Sequence, residues 1–70
     1  MYEYQQKLKK IRVEKGYTQQ EIAIQLDTTQ EQYNRYERMK RELPLHHAIK
    51  LAYFYNVSMD YLFKEDFNYE

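Results

Sequence analysis

Apolar side chains recur at helical spacing in several segments of the chain, and residues that start or stop helices separate these segments. The first segment carries Tyr4, Leu8 and Ile11 at positions i, i+4 and i+7. This spacing predicts a helix over residues 3–15 with one buried stripe. Gly16, the only glycine, follows at the position where a left-handed residue commonly closes a helix.

Two helix-start signals then lie unusually close together. Thr18 and Thr29 are each followed three residues later by Glu or Gln, which is the pattern of a capping box. They predict helices over residues 19–26 and 30–38, joined by a short turn. Two helices so connected form a helix-turn-helix motif, whose second helix enters the DNA major groove.

The second half of the chain predicts two more helices. The first has Pro44 in its first turn and extends to Tyr55. Its predicted inward residues are Leu45, Ala48, Ile49 and Ala52. Ser58 is expected to cap the last helix, with Tyr61 and Leu62 facing the core.

Composition is consistent with one small helical domain. The 70 residues include one Gly, one Pro and no Cys, which argues against a turn-rich β fold and excludes disulfides and thiolate metal sites. A reducing cytoplasm suits such a chain, and no apolar run is long enough for a membrane span. We therefore expect an all-α, compact five-helix bundle over residues 1–63, followed by a short acidic, aromatic tail over residues 64–70.

Charge is unevenly distributed although the net charge is zero. Residues 7–41 carry nine Lys or Arg against five Asp or Glu, whereas residues 42–70 carry two against five. A basic front and an acidic back suit a protein that binds DNA with one side. The alternative is that these Lys and Arg residues only solvate helix surfaces.

Three segments in this order carry a family resemblance: LKKIRVEKGYTQQEIAIQL, RYERMKRELP and IKLAYFYNVSMDYLF. The chain resembles the phage-repressor family, the Cro/CI-like or XRE-type helix-turn-helix domains with a lambda-repressor-like fold, over about residues 7–63. The resemblance implies a sequence-specific transcriptional regulator, a repressor, that binds double-stranded DNA operators, often inverted repeats, as a homodimer.

The third helix is the predicted recognition helix. With Tyr33 and Tyr36 turned inward as its large apolar residues, its polar side chains face away from the core. The candidate base-reading residues are Gln30, Glu31, Gln32, Asn34 and Arg35. Gln can pair with adenine and Arg with guanine, and the resemblance places base contacts at Gln30, Glu31 and Arg35. Glu31 is expected to orient Arg35, four residues later.

Phosphate contacts are expected from residues outside that helix. The candidates are Gln19 and Gln20, which open the second helix, and Arg38, Lys40 and Arg41, which follow the third. Lys9, Lys10 and Lys15 are interpreted as solvated. The resemblance further implies a structural, partly buried ion pair between Arg12 and Glu37.

Two positions depart from the family pattern, which has glycine where this chain has Asp27 and Met39. Asp adopts a left-handed conformation at moderate cost, so the first turn is expected to survive. Met pays more for a positive φ angle, so we expect the loop after Arg38 to follow another path or the third helix to continue.

Nothing in the sequence indicates an enzyme, a cofactor, a small-molecule ligand or a metal site. No Gly-rich loop or nucleophile with a nearby base occurs, and His46 and His47 are adjacent rather than spaced as ligands on one helix face. The alternative function is a protein-interaction module, an antitoxin or antirepressor that holds a protein partner. The candidate dimer surface comprises Tyr61, Phe63 and the tail, including Phe67 and Tyr69.

Overall fold

Five α-helices form the part of the protein that the computed structural model describes, residues 3–64. They are α1 (Glu3–Lys15), α2 (Gln19–Gln25), α3 (Gln30–Glu37), α4 (Leu45–Tyr55) and α5 (Met59–Phe63). This confirms the all-α prediction. The predicted tail lies, apart from Lys64, outside the described residues, and so do Phe67 and Tyr69. No helix within residues 3–64 is long and apolar enough to cross a membrane.

One predicted helix start is confirmed in full, and two differ from the prediction. The capping box at Thr18 is complete, because its hydroxyl accepts from the Glu21 amide and the Glu21 carboxylate accepts from the Thr18 amide. At Thr29 only the first half forms, since the Gln32 side chain accepts a hydrogen bond from Arg35 instead. Pro44 is the N-cap of α4 and precedes its first turn, which corrects the predicted start by one residue.

Four helices end in a left-handed residue although the chain has one glycine. Gly16, Asp27, Met39 and Asn56 have φ angles of 82°, 58°, 63° and 60°. At each end two backbone hydrogen bonds of the Schellman pattern satisfy carbonyls of the last turn. The expectation for Met39 was therefore wrong: α3 stops at Glu37 and the loop keeps the left-handed turn, with these hydrogen bonds offsetting the strain.

All five helices contribute side chains to one core. Its buried apolar residues are Leu8, Ile11, Ile22, Ala23, Leu26, Tyr33, Tyr36, Leu43, Ala48, Leu51, Ala52, Tyr55 and Leu62. Tyr17 packs on this cluster, with its ring centroid 5.0 Å from that of Phe54 and 6.2 Å from that of Tyr55. Contacts between α2 and α3 hold the motif together, and contacts between α1 and α3 join it to the rest of the bundle.

Three residues predicted to face the core lie largely at the surface. Leu45 is 59% exposed, Ile49 39% and Tyr61 50%. In α4 the buried stripe is rotated, so that Leu51 and Tyr55 enter the core beside the two alanines. A tyrosine ring and a leucine remove more apolar surface from water than Leu45 and Ile49 would, which accounts for the rotation.

Candidate nucleic-acid interface

The outer face of α3 is polar throughout, while Tyr33, Tyr36 and Glu37 anchor its inner face. All five predicted base-reading residues lie outside the core: Gln30, Glu31 and Arg35 are exposed, and Gln32 and Asn34 are half-buried. Gln30, Glu31 and Asn34 also line a shallow, open depression together with Gln19 of α2. The helix-turn-helix thus presents one continuous polar surface.

Glu31 and Arg35 form an ion pair along the exposed face of α3. Arg35 Nη2 lies 3.3 Å from Glu31 Oε2, and the two side chains are 48% and 81% exposed. Arg35 Nη1 also donates to Gln32 Oε1 at 3.4 Å. The guanidinium is therefore held over the helix surface by two side chains of the same helix.

Beneath that face, the carboxylate of Glu37 accepts four hydrogen bonds. Arg12 donates through Nε at 2.6 Å and through Nη2 at 3.0 Å, which is the ion pair expected from the resemblance. Tyr33 Oη donates at 2.6 Å and Gln19 Nε2 at 2.9 Å. Since an ionised carboxylate has about four acceptor positions, this one is saturated.

The electrostatics of Glu37 follow from these contacts. Burial raises the pKa of the carboxyl group, but hydrogen bonds from Arg12, Tyr33 and Gln19 outweigh it, so the pKa lies below its ordinary value. The hydrogen bond to Glu37 in turn raises the pKa of Arg12. Burial, followed by the bond to Glu37, raises the pKa of the Tyr33 hydroxyl. Both members of the ion pair therefore stay charged.

Gln19 takes part in this network. Its Nε2 donates to Glu37 Oε1 at 2.9 Å and to Asn34 Oδ1 at 3.0 Å. Both amide hydrogens are used within the protein, so in this arrangement the side chain offers none to a phosphate. Gln20, the neighbouring candidate, is exposed.

The three basic candidates after α3 are exposed and lie on a fixed loop. Arg38, Lys40 and Arg41 all point to solvent. The buried side chain of Gln5, which is 2% exposed, holds this loop by hydrogen bonds to its backbone. Gln5 Nε2 donates to the carbonyls of Tyr36 at 2.6 Å and Arg41 at 3.0 Å, and its Oε1 accepts from the Leu43 amide at 2.7 Å.

Sequence reasoning missed Gln5 because glutamine in a helix is usually solvated. The available signal was its position, three residues before Leu8, which puts it on the buried stripe of α1. A polar residue on an apolar stripe indicates a group that must find buried hydrogen-bond partners.

An apolar surface stripe was also missed. Leu45, Ile49 and Tyr53 follow one another at i, i+4 and i+8 on α4, and they are 59%, 39% and 85% exposed. Ile49 and Tyr53 border a groove that Val57 and Met59 complete. This stripe is separate from the candidate interface on α3.

The predicted dimer surface is only partly described. Tyr61 is 50% and Phe63 43% exposed. The Phe63 ring centroid lies 4.8 Å from that of Tyr4, and Lys7 Nζ lies 5.2 Å from the centroid of Tyr61. These two aromatic residues are thus held against α1 and still have open faces.

The adjacent histidines lie at the start of α4, and one of them packs near the inner face of α3. His46 is exposed, whereas His47 is half-buried with its ring centroid 6.3 Å from that of Tyr36. Burial lowers the pKa of His47, and the neighbouring His46 and Lys50 lower it further. Within residues 3–64 no three potential His, Cys, Asp or Glu ligands come together.

Comparison with known proteins identifies the family to which the chain belongs. A helix-turn-helix family model matches residues 8–62. The SPbeta prophage-derived uncharacterized HTH-type transcriptional regulator YonR of Bacillus subtilis (strain 168) is 42% identical over 59 residues, covering 84% of this chain and 55% of that protein. The HTH-type transcriptional regulator ImmR of the same organism is 40% identical over 60 residues, covering 86% and 47%.

The chain spans about half the length of these curated relatives. Both relatives carry the name of a transcriptional regulator, and neither that of an enzyme. No solved structure matches the chain significantly.

Proposed function

The chain belongs to the helix-turn-helix family, and from this premise we propose that it is a sequence-specific DNA-binding transcriptional regulator that acts as a repressor. In this proposal α3 enters the major groove of double-stranded DNA in the cytoplasm. The observation that supports it most is the exposed polar face of α3, oriented by a buried ion pair and flanked by a basic loop.

The proposed contacts divide into two groups. Base edges are read by Gln30, Glu31 and Arg35, with Gln32 and Asn34 in support, because residues near the start of a recognition helix reach the bases. Arg38, Lys40 and Arg41 neutralise phosphates, and Gln20 lies beside the backbone. Each such neutralised phosphate steepens the salt dependence of binding by roughly one unit of logarithmic slope.

We further propose that two copies bind an inverted repeat. The open faces of Tyr61 and Phe63, with the tail that follows them, form the proposed contact between copies. A symmetric pair of recognition helices would then meet half-sites about one DNA turn apart.

The test is selection from a randomised duplex library by the purified chain at near-physiological salt. An enriched inverted repeat with half-sites centred about 10 bp apart is expected. Arg38→Ala should weaken binding and make its salt dependence less steep. Lys9→Ala, at an exposed lysine of α1, is the matched control and should retain the wild-type motif and affinity. Absence of any enriched motif would contradict the proposal, and a single enriched half-site would contradict the dimer.

A second function is supported by the apolar stripe Leu45, Ile49 and Tyr53. A monomeric soluble domain rarely leaves such a stripe uncovered, and apolar patches mark contacts with other proteins. The chain would then act as an antitoxin-like or antirepressor-like module that holds a protein partner. This function predicts that the chain retains DNA only weakly and in a salt-sensitive way. Binding to the protein partner should be lost in Ile49→Ser and kept in Arg35→Ala.

A further inference from the structure

We propose that the hydrogen-bond network beneath α3 turns the side-chain oxygen of Asn34 toward Gln19, so that Asn34 reads the major groove only by donating hydrogen bonds. Gln19 is the residue that positions it. This inference rests on the proposed function, because it concerns how the same surface selects bases. It begins with the buried carboxylate of Glu37 and proceeds outward in two steps.

The first step fixes the orientation of Gln19. Glu37 is ionised and paired with Arg12, so its oxygens can only accept hydrogen bonds. The Gln19 atom 2.9 Å from Glu37 Oε1 must therefore be the amide nitrogen. Turning the Gln19 amide over would place its carbonyl oxygen against a buried carboxylate, which repels it and leaves both unsatisfied.

The second step fixes the orientation of Asn34. The other amide hydrogen of Gln19 is directed at Asn34, with a nitrogen–oxygen distance of 3.0 Å. The facing atom of Asn34 must then be its carbonyl oxygen, since two amino groups would repel each other. Within residues 3–64 no protein acceptor takes the two hydrogens of Asn34 Nδ2.

The location of Asn34 makes these free hydrogens relevant to binding. Asn34 is half-buried and lines the open depression shared with Gln30 and Glu31, both candidate base-reading residues. Its side chain thus lies between the buried network and the surface. The charge of Glu37 determines, through Gln19, the chemistry that α3 offers there.

The expected base preference follows from the groove edges of the bases. An unconstrained asparagine pairs with adenine by donating to N7 and accepting from the N6 amino group. With its oxygen turned toward Gln19, Asn34 presents its two amide hydrogens to a base and cannot form the bidentate adenine pair. It can donate to N7 and O6 of guanine, to O4 of thymine or to N7 of adenine, and it has no favourable contact with the amino group of cytosine.

Library selection with three variants tests this inference. At the position that Asn34 faces, the wild-type chain should disfavour cytosine by about ten-fold relative to guanine or thymine and should not prefer adenine over guanine. Gln19→Met frees the oxygen for the bidentate pair, so adenine should gain about ten-fold over guanine at that position alone. Gln25→Met, at an exposed position at the other end of α2, is the matched control and should keep the wild-type preference.

Asn34→Asp provides an independent variant of nearly the same shape. It keeps an oxygen for Gln19 and replaces the outward donor by an acceptor, so the preference should move away from guanine and thymine to cytosine and adenine, the bases with an amino group at that edge. The position that changes also identifies the base pair that Asn34 faces. Circular dichroism establishes that each variant is folded.

The outcomes separate the inference from the proposed function. A wild-type motif combined with unchanged base preferences in Gln19→Met and Asn34→Asp overturns the inference alone. A wild-type preference for adenine over guanine at the Asn34-dependent position also overturns it. If Gln19→Met does not fold, Asn34→Asp alone decides. A wild-type chain that enriches no motif overturns the proposed function itself.

Discussion

The two glutamates of α3 each pair with an arginine, but their surroundings differ. Glu37 contacts Arg12 at 2.6 Å with 3% of its side chain exposed, whereas Glu31 contacts Arg35 at 3.3 Å with 81% exposed. The first pair joins two helices that are distant in sequence, and the second joins neighbouring turns of one helix. Residues of the same chemical type thus serve different roles on one short helix.

Burial accounts for the difference. An exposed i, i+4 pair contributes only a few tenths of a kcal/mol because water and salt screen it. A buried pair has lost its hydration, so either member left alone is costly, and the pair fixes geometry more than it adds net stability. We infer that the buried pair orients the interface and that the exposed pair belongs to it.

The largest effect is expected for Glu37→Ala, which leaves the largely buried charge of Arg12 without its carboxylate. The free energy of unfolding should fall by about 3–5 kcal/mol, as measured by urea denaturation. The double variant Arg12→Met, Glu37→Leu should recover most of this loss because it removes both charges. A loss below about 1 kcal/mol in the single variant would place Glu37 in the same class as Glu31.

Lowering the pH should reversibly cause part of the stability loss that is expected for Glu37→Ala. The folded pKa of Glu37 lies below its ordinary value of 4.5, so the stability it contributes is complete above that value and disappears as the pH falls through the folded pKa. Below pH 4.5 the free energy of unfolding should therefore fall less steeply with decreasing pH in Glu37→Gln than in the wild type. Glu31→Gln, which retains Glu37, should keep the wild-type slope. Equal slopes in wild type and Glu37→Gln would contradict this assignment.

Arg35→Ala should affect recognition and leave folding nearly unchanged. Loss of a guanidinium that pairs with guanine should reduce discrimination at one base position by about 1–3 kcal/mol. The free energy of unfolding should change by no more than about 0.5 kcal/mol, because the side chain is half exposed. Binding titrations against matched and mismatched duplexes measure the first quantity, with Lys15→Ala as control. A large loss of stability instead would remove the contrast between the two pairs.

The smallest effect is expected for Glu31→Ala. Its stability should change by a few tenths of a kcal/mol. Removing a carboxylate from the DNA-facing surface should tighten binding to random DNA and relax sequence choice, since Arg35 loses its orienting partner. Titrations with random duplexes, and with Glu14→Ala as an exposed control on α1, measure this. Weaker binding to random DNA by Glu31→Ala would contradict the proposed role.

The predictions that held depend on short stretches of sequence. The Thr18 capping box and the left-handed closure at Gly16 were predicted from adjacent residues, and both occur in the structure. Each depends on hydrogen bonds within one turn of the backbone, so no distant partner is needed to define it. The five-helix order follows from such signals.

The predictions that failed depend on packing between distant residues. Helix α4 has two overlapping apolar stripes, one through Leu45 and Ile49 and one through Leu51 and Tyr55. Periodicity alone cannot choose between them, since the choice depends on packing against residues outside α4, such as Tyr17, whose ring centroid lies 6.2 Å from that of Tyr55. At Met39 the intrinsic preference of the residue was outweighed by hydrogen bonds from the surrounding backbone.

The sequence predicted which residues belong to the candidate site, but not which hydrogen bonds connect them. The sequence indicated that Gln19 and Asn34 lie near the interface. Their hydrogen bond, across fifteen positions, depends on the angle between α2 and α3, which a one-dimensional pattern does not contain. Gln5 was missed for the same reason, because its partners lie more than thirty residues away.

The clamp by Gln5 has a consequence for motion. One side-chain amide joins the first turn of α1 to both ends of the loop after α3, with bonds to Tyr36, Arg41 and Leu43. Fraying of the first turn of α1 would therefore release the loop, and the two segments would open as one cooperative unit. In amide hydrogen exchange the Leu43 amide, bonded to Gln5, should exchange at the rate of the first turn of α1. The chain's N-terminal turn would then govern the mobility of a loop that lies almost forty residues away.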